Sequence, residues 1–159
     1  FLNFITKGNI IMTETTTPDG AAFQSLSDLL TPSKEANLEF PGYDGFKIKV
    51  TYLAREELLK LRKKSVSTKI NRRTRQPEEE LNEEVFLKEY TKAVIKGWSG
   101  LKMKYLVQLI PVDEDKISDM DKELPYSLEN AQIMMENSND FDAWLTETVG
   151  DLANFTKTS

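Results

Sequence analysis

Residues 46–61 read FKIKVTYLAREELLKL, and this stretch decides the fold class. Phe46, Ile48, Val50 and Tyr52 alternate with Lys47, Lys49 and Thr51, the two-residue period of a strand with one face buried. The pattern then changes. Arg55, Glu56 and Glu57 open a helix that carries Leu58, Leu59 and Leu61. Most other apolar stripes in the chain repeat at helical spacing. The prediction is therefore a mainly α domain with a minor β component (α+β), built from about four to five helices and one or two short strands in a single small domain.

Upstream of the strand, Pro41-Gly42-Tyr43-Asp44-Gly45 is a turn cluster. Phe23, Leu26 and Leu30 share one helical face, which Thr31-Pro32 stops. Earlier residues are polar and Thr-rich after Met12, so residues 1–22 read as a disordered arm and 23–159 as the domain. Residues 1–11, FLNFITKGNII, lack a basic start and a cleavage site; they read as a leader, with Met12 as the start.

Downstream, residues 65–75 are basic and without periodicity, and read as a loop. Pro77 followed by Glu78, Glu79 and Glu80 has the chemistry of a helix first turn. A stripe through Leu81, Val85, Tyr90, Val94 and Trp98 extends that helix towards Gly97 and Gly100. Leu101, Met103, Tyr105, Val107 and Leu109 alternate with Lys102, Lys104, Leu106 and Gln108, which predicts a strand ending at Pro111. A helix is the competing assignment, because Leu106 and Ile110 blur the alternation. Residues 112–125 read as an acidic loop. Ser127 caps a helix through Asn137, and Asn139 caps another whose stripe is Phe141, Trp144, Leu145, Val149 and Leu152, with Phe155 near its end.

The 159 residues contain no cysteine and no histidine, and 30% are charged, with a net charge of −5. Thiolate chemistry, the commonest general base and the commonest transition-metal ligand are thus excluded together. The charge is uneven. Residues 55–75 hold nine basic and two acidic side chains, whereas residues 111–159 hold three basic and twelve acidic ones. Such a chain can pair with itself, with further copies or with a partner of mixed charge.

No catalytic or metal pattern survives inspection. A calcium loop begun at Asp119 supplies Asp121 and Glu123, but Leu124 replaces the required glycine and Asn130 the final glutamate. No GxxxxGK[ST] or GxGxxG is present. The expectation is a non-enzymatic protein with no cofactor, metal or membrane span. The basic segment 60–75 is the candidate for nucleic acid, yet it contains no aromatic residue for base stacking, and the acidic total argues against a nucleic-acid coat. Trp98 and Trp144 are of the residue type that anchors interfaces, although both lie on stripes where core packing is the default use.

Three pieces carry a resemblance: FKIKVTYLAREELLKL, the segment VIKGWSGLK, and LPYSLENAQIMMENSNDFDAWLTETVGDLANF near the end. Their order resembles the tail assembly chaperones of long-tailed bacteriophages. The likeness rests on Lys96-Gly97-Trp98-Ser99-Gly100, on Pro125-Tyr126-Ser127 leading into Glu129-Asn130-Ala131, on Asp140-Phe141 and on Asn154-Phe155, and it covers roughly residues 44–156. The family's turn after the Trp is replaced here by the longer KMKYLVQLIPVDEDKISDMDKEL.

The resemblance implies a chaperone that binds the phage tape-measure protein and keeps it soluble while the tail tube assembles. It implies work in the host cell cytoplasm and absence from the mature virion. The tail tube protein, a frameshifted longer form and further copies of the chain are the other partners it suggests. The residues expected to touch a partner are Trp98, Tyr126, Phe141, Trp144 and Leu145. The alternatives are a small phage nucleic-acid-binding or regulatory protein acting through residues 60–75, and a minor structural subunit of the virion.

Overall fold

The computed structural model describes residues 25–31 and 33–156. The arm expected over residues 1–22, the leader question and Phe23 lie outside the described residues. The chain divides into two units between Pro32 and Ser33. In the first, α1 spans Leu26–Leu29, with the Ser25 amide donating to Asp28 Oδ2 at 3.2 Å, and Leu26, Leu29 and Leu30 are exposed.

The second unit is an α+β domain. A three-stranded antiparallel sheet has the order β1 (Glu35–Glu39), β2 (Lys47–Thr51), β5 (Ile95–Ser99). The strand predicted from residue 46 onward is its centre: Phe46, Ile48 and Val50 have no exposed surface, while Lys47 and Lys49 face water. Strand β1 was not evident from the sequence, because only Ala36 and Leu38 alternate against Glu35, Asn37 and Glu39. Its pairing with β2 holds it, closed by the Phe40 amide donating to the Phe46 carbonyl at 2.9 Å across the predicted turn.

Strand β5 contains a bulge. Lys49 is opposite Gly97, but Val50 is opposite Ile95, so Lys96 is the extra residue. Without it, Ile95 and Trp98 would point to opposite faces, since they are three residues apart. With it, both reach the helical side, where Ile95 is 1% exposed.

That side is covered by α3 (Glu83–Val94), α5 (Leu128–Asn137) and α6 (Asn139–Val149). Tyr90, Thr91 and Val94, then Ala131, Met134 and Met135, then Phe141, Leu145 and Val149 fill the core from these helices. Phe141 lies against Phe40 and Phe46, with ring centroids 5.8 and 6.4 Å away. Helix α2 (Arg55–Lys64) packs beside α3, with acids in its first turn and Arg62, Lys63 and Lys64 in its last, as the helix dipole favours.

Several sequence expectations are corrected. The long helix begun at Pro77 is instead strand β4 (Pro77–Leu81), then α3, then β5. The start signal lies further along, where Asn82 Oδ1 accepts the Val85 amide at 3.1 Å and Glu83 and Glu84 follow. The basic stretch 65–75 is not all loop: β3 (Val66–Ile70) pairs antiparallel with β4 to form a separate two-stranded ribbon. The strand expected over 101–109 is helix α4 (Met103–Leu109), the competing assignment. The Met103 and Lys104 amides of its first turn donate to the Lys122 and Met120 carbonyls, at 2.8 and 2.9 Å. Ser138, not Asn139, caps α6, its Oγ accepting the Phe141 amide at 3.2 Å. The described residues therefore hold five strands rather than one or two, with six α-helices.

Candidate functional site

Four helices leave a half-open groove where they meet. Leu53, just after β2, and Leu58 of α2 form one wall; Phe86, Leu87 and Tyr90 of α3 form another; Met135 of α5 lies in the floor; Asp142, Thr146, Val149 and Gly150 close it from α6. The groove encloses about 280 Å³. Tyr90, Met135 and Val149 are buried, whereas Leu53, Leu58, Phe86 and Leu87 are half-buried and offer apolar surface.

Charge sits on the rim. The Arg62 guanidinium lies over the Phe86 ring, 5.5 Å from its centroid. Asp142 lies on α6, with Thr146 Oγ1 3.5 Å from its Oδ1. Neither Arg62 nor Asp142 makes an ion pair among the described residues. Burial pushes the Tyr90 hydroxyl's pKa above its ordinary value; its hydrogen bond with Thr146 opposes this, and the Asp142 charge adds to the rise. Tyr90 thus stays protonated at neutral pH and points a hydroxyl into a mainly apolar site. The arrangement suits an apolar side chain or helical stripe carrying charges of both signs at its edges. Among the described residues, no group of three or more acidic side chains is placed to hold a metal ion.

The residues anticipated from sequence lie elsewhere. Phe141 and Leu145 have no exposed surface and present none to a partner in this fold. Trp144 is half-buried, packed edge-on against Phe40 with centroids 5.1 Å apart. Trp98 and Tyr126 form a latch between β5 and α5. Trp98 Nε1 donates to the Leu124 carbonyl at 2.9 Å, the Tyr126 hydroxyl donates to the Ile95 carbonyl at 3.1 Å, and the two rings meet at 90°. Burial raises the Tyr126 pKa. Beyond the latch, Ser127 Oγ accepts the Asn130 amide at 3.0 Å, Asn130 Nδ2 donates to the Pro125 carbonyl, and Ala131 is fully buried. Each of these motif residues has a structural task. The groove residues carry no comparable signal, since Leu53, Leu58, Leu87 and Val149 read as ordinary core positions.

All the groove's lining residues lie between Leu53 and Gly150. Residues 52–159 match the model of the YdaY prophage protein family. The chain belongs to that family. It is thus a phage-derived protein, and every residue lining the groove falls inside the matched part. No curated protein and no solved structure matches the chain. No helix among the described residues is long and apolar enough to cross a membrane.

Proposed function

We propose that this prophage protein is a non-enzymatic assembly factor whose α2–α3–α6 groove holds an amphipathic helix of a partner, and that the partner is a phage tape-measure protein kept soluble during tail assembly. The observation that carries the reading is the groove itself: half-buried leucines and Phe86 beside Arg62 and Asp142, neither in an ion pair among the described residues. Such a lining matches helix-in-groove recognition, in which apolar anchors one turn apart enter the cleft and flanking charges fix direction. The resemblance to tail assembly chaperones supplies the partner, the cytoplasmic setting and the absence from finished particles.

A second reading has one observation in its favour. The turn between β3 and β4 presents Arg72, Arg73 and Arg75, none in an ion pair among the described residues, which suits phosphate contact. Glu78, Glu79 and Glu80 on the adjoining strand oppose it.

The test is co-expression of the full chain with a phage tape-measure protein, followed by size-exclusion chromatography with mass determination. A soluble complex is expected, and Thr146→Arg, at an exposed position on the groove wall, should abolish it while leaving the fold intact. If the partner remains insoluble and the chain elutes alone, the chaperone reading is wrong. A complex indifferent to Thr146→Arg and to Asp142→Lys removes the groove from it.

A further inference from the structure

The walls of the groove differ in charge. Helix α2 carries Arg55, Lys60, Arg62, Lys63 and Lys64 against Glu56 and Glu57. From Glu123 to Thr156 the chain has no lysine or arginine but seven acidic residues, and both α5 and α6 lie within this stretch. Helix α3 brings no cation to that side either. Its Lys88 and Lys92 follow Phe86 and Tyr90 by two residues, which at about 100° per residue turns them away from the groove. Arg62 is held over the Phe86 ring and makes no ion pair with Asp142.

On the α6 side three side-chain oxygens come together. Asp142 is exposed at the rim, Thr146 Oγ1 lies 3.5 Å from its Oδ1, and the buried Tyr90 hydroxyl bonds with Thr146. The Asp142 charge helps to raise the Tyr90 pKa, which sets that carboxylate close to the hydroxyl. The neighbouring Val149 carbonyl is already used, accepting the Leu53 amide at 3.0 Å. A carboxylate beside two hydroxyls is a set of acceptors. A lysine ammonium brings three donors and no acceptor, an arginine guanidinium five. Either side chain also has an aliphatic stem that fits against Leu87, Met135 and Val149 while its head stays at the rim.

We propose that the helix held in the groove carries a lysine or arginine beside its apolar stripe, and that this side chain seats its charge on Asp142 and Thr146. The assignment rests on the groove being a helix site and states the chemistry of its occupant: the flank of the stripe that faces α6 is basic. A carboxylate on that flank would meet Asp142 with no cation on α5 or α6 to offset it.

Fluorescence anisotropy with the full chain and two labelled synthetic peptides tests it. Both are 18-residue helices with one leucine stripe and glutamine on one flank; the other flank holds lysine in the first and glutamine in the second. The lysine peptide should bind about fivefold more tightly, the scale of one ion pair at a rim. That preference should vanish in Asp142→Asn and persist in Asp140→Asn, which removes an equal charge from an exposed position on the opposite side of α6. Asp142 is itself exposed, so circular dichroism and the melting temperature should match those of the parent chain. Equal affinity for the two peptides, or a lysine preference that survives Asp142→Asn, overturns the proposal and leaves the groove as a helix site. A lysine peptide that binds equally well with its leucines replaced by serine also overturns it, since the ligand would then be an amine and not a helix. If neither peptide binds, the groove reading falls and the proposal with it.

Discussion

Replacing Gly100 with alanine should be among the most damaging single-methyl additions to this domain. Gly100 sits at φ 75°, between β5 and the Leu101 core residue, and its amide donates to Glu123 Oε1 at 2.9 Å. A Cβ there would collide with the Gly45 carbonyl oxygen, lie 2.8 Å from the Gly45 carbonyl carbon, and lie 3.3 Å from the Phe46 amide nitrogen. The obstacle is backbone, not a flexible side-chain end, and it leads directly into the fully buried Phe46. The left-handed conformation costs an L-residue about 1–2 kcal/mol. Overpacking adds about 1–3 kcal/mol, so a total near 3 kcal/mol is expected, a fall of roughly 10 °C in melting temperature for a chain of this size. Two controls separate the contributions. Gly42 has φ 89° with nothing within 4 Å of an added Cβ, so Gly42→Ala should lose only the conformational part. Gly97 has open space and no positive φ, so Gly97→Ala should be neutral or slightly stabilising. Urea denaturation of the three variants gives the series directly. If Gly100→Ala unfolds at the same midpoint as Gly42→Ala, the close approach of Gly100 to Gly45 is wrong.

Two further perturbations read the helical layer. Burial raises the folded-state pKa of Tyr90, so the unfolded chain releases that proton first; the associated stability is intact below pH 10 and is lost as pH rises through the folded value, and denaturation midpoints for Tyr90→Phe should fall less steeply above pH 10 than those of the parent. Parallel curves would contradict this. Thr91 is wholly buried in α3 and its hydroxyl has no partner among the described residues, so Thr91→Val should raise stability by about 1 kcal/mol in the same assay; a loss would mean that the hydroxyl is satisfied.

What was legible in the sequence depended on whether a signal was local. Strand β2 stood out because its alternation is strict and one face is dry, and α5 announced itself through Ser127, whose cap is made within three residues. The segment around Pro77 misled because proline followed by three glutamates is sound helix-start chemistry. Proline is equally at home as the first residue of a ribbon strand, and Asn82 with Glu83 and Glu84 repeats the start signal nearby. The end of α3 was hidden for a different reason. Directly after Val94 the chain leaves the helix, and Ile95 pairs with Val50 of β2, a partner more than forty residues away in sequence. Helix α4 likewise depends on carbonyls from Met120 and Lys122 to satisfy its first turn. The groove was beyond reach, because its walls come from separate helices and each leucine alone looks like a core residue. The anticipated Phe141 and Leu145 do form a strong apolar stripe, but a stripe facing the core and one facing a partner have the same spacing.

The family match begins at residue 52, and this boundary conflicts with the physical unit. Residues 52–159 supply α2 to α6 and β5, but β2, the strand at the centre of the sheet, ends at Thr51. Without β2, strand β5 loses its ladder, and Val94, Ile95, Met134 and Phe141 lose the apolar surface that covers them. Burying Phe46, Ile48 and Val50 contributes about 2 kcal/mol each, near 6 kcal/mol together, against a usual total stability of about 5–15 kcal/mol. The Leu53 amide bond to the Val149 carbonyl, at 3.0 Å, ties the end of β2 to α6 at the groove wall, so loss of the strand also releases the groove. Residues 52–159 alone should therefore show no cooperative thermal transition, whereas residues 33–159 should melt as the full chain does. A cooperative transition at the parent temperature in the shorter fragment would mean that the helices form a self-sufficient core and that the sheet is an addition to it.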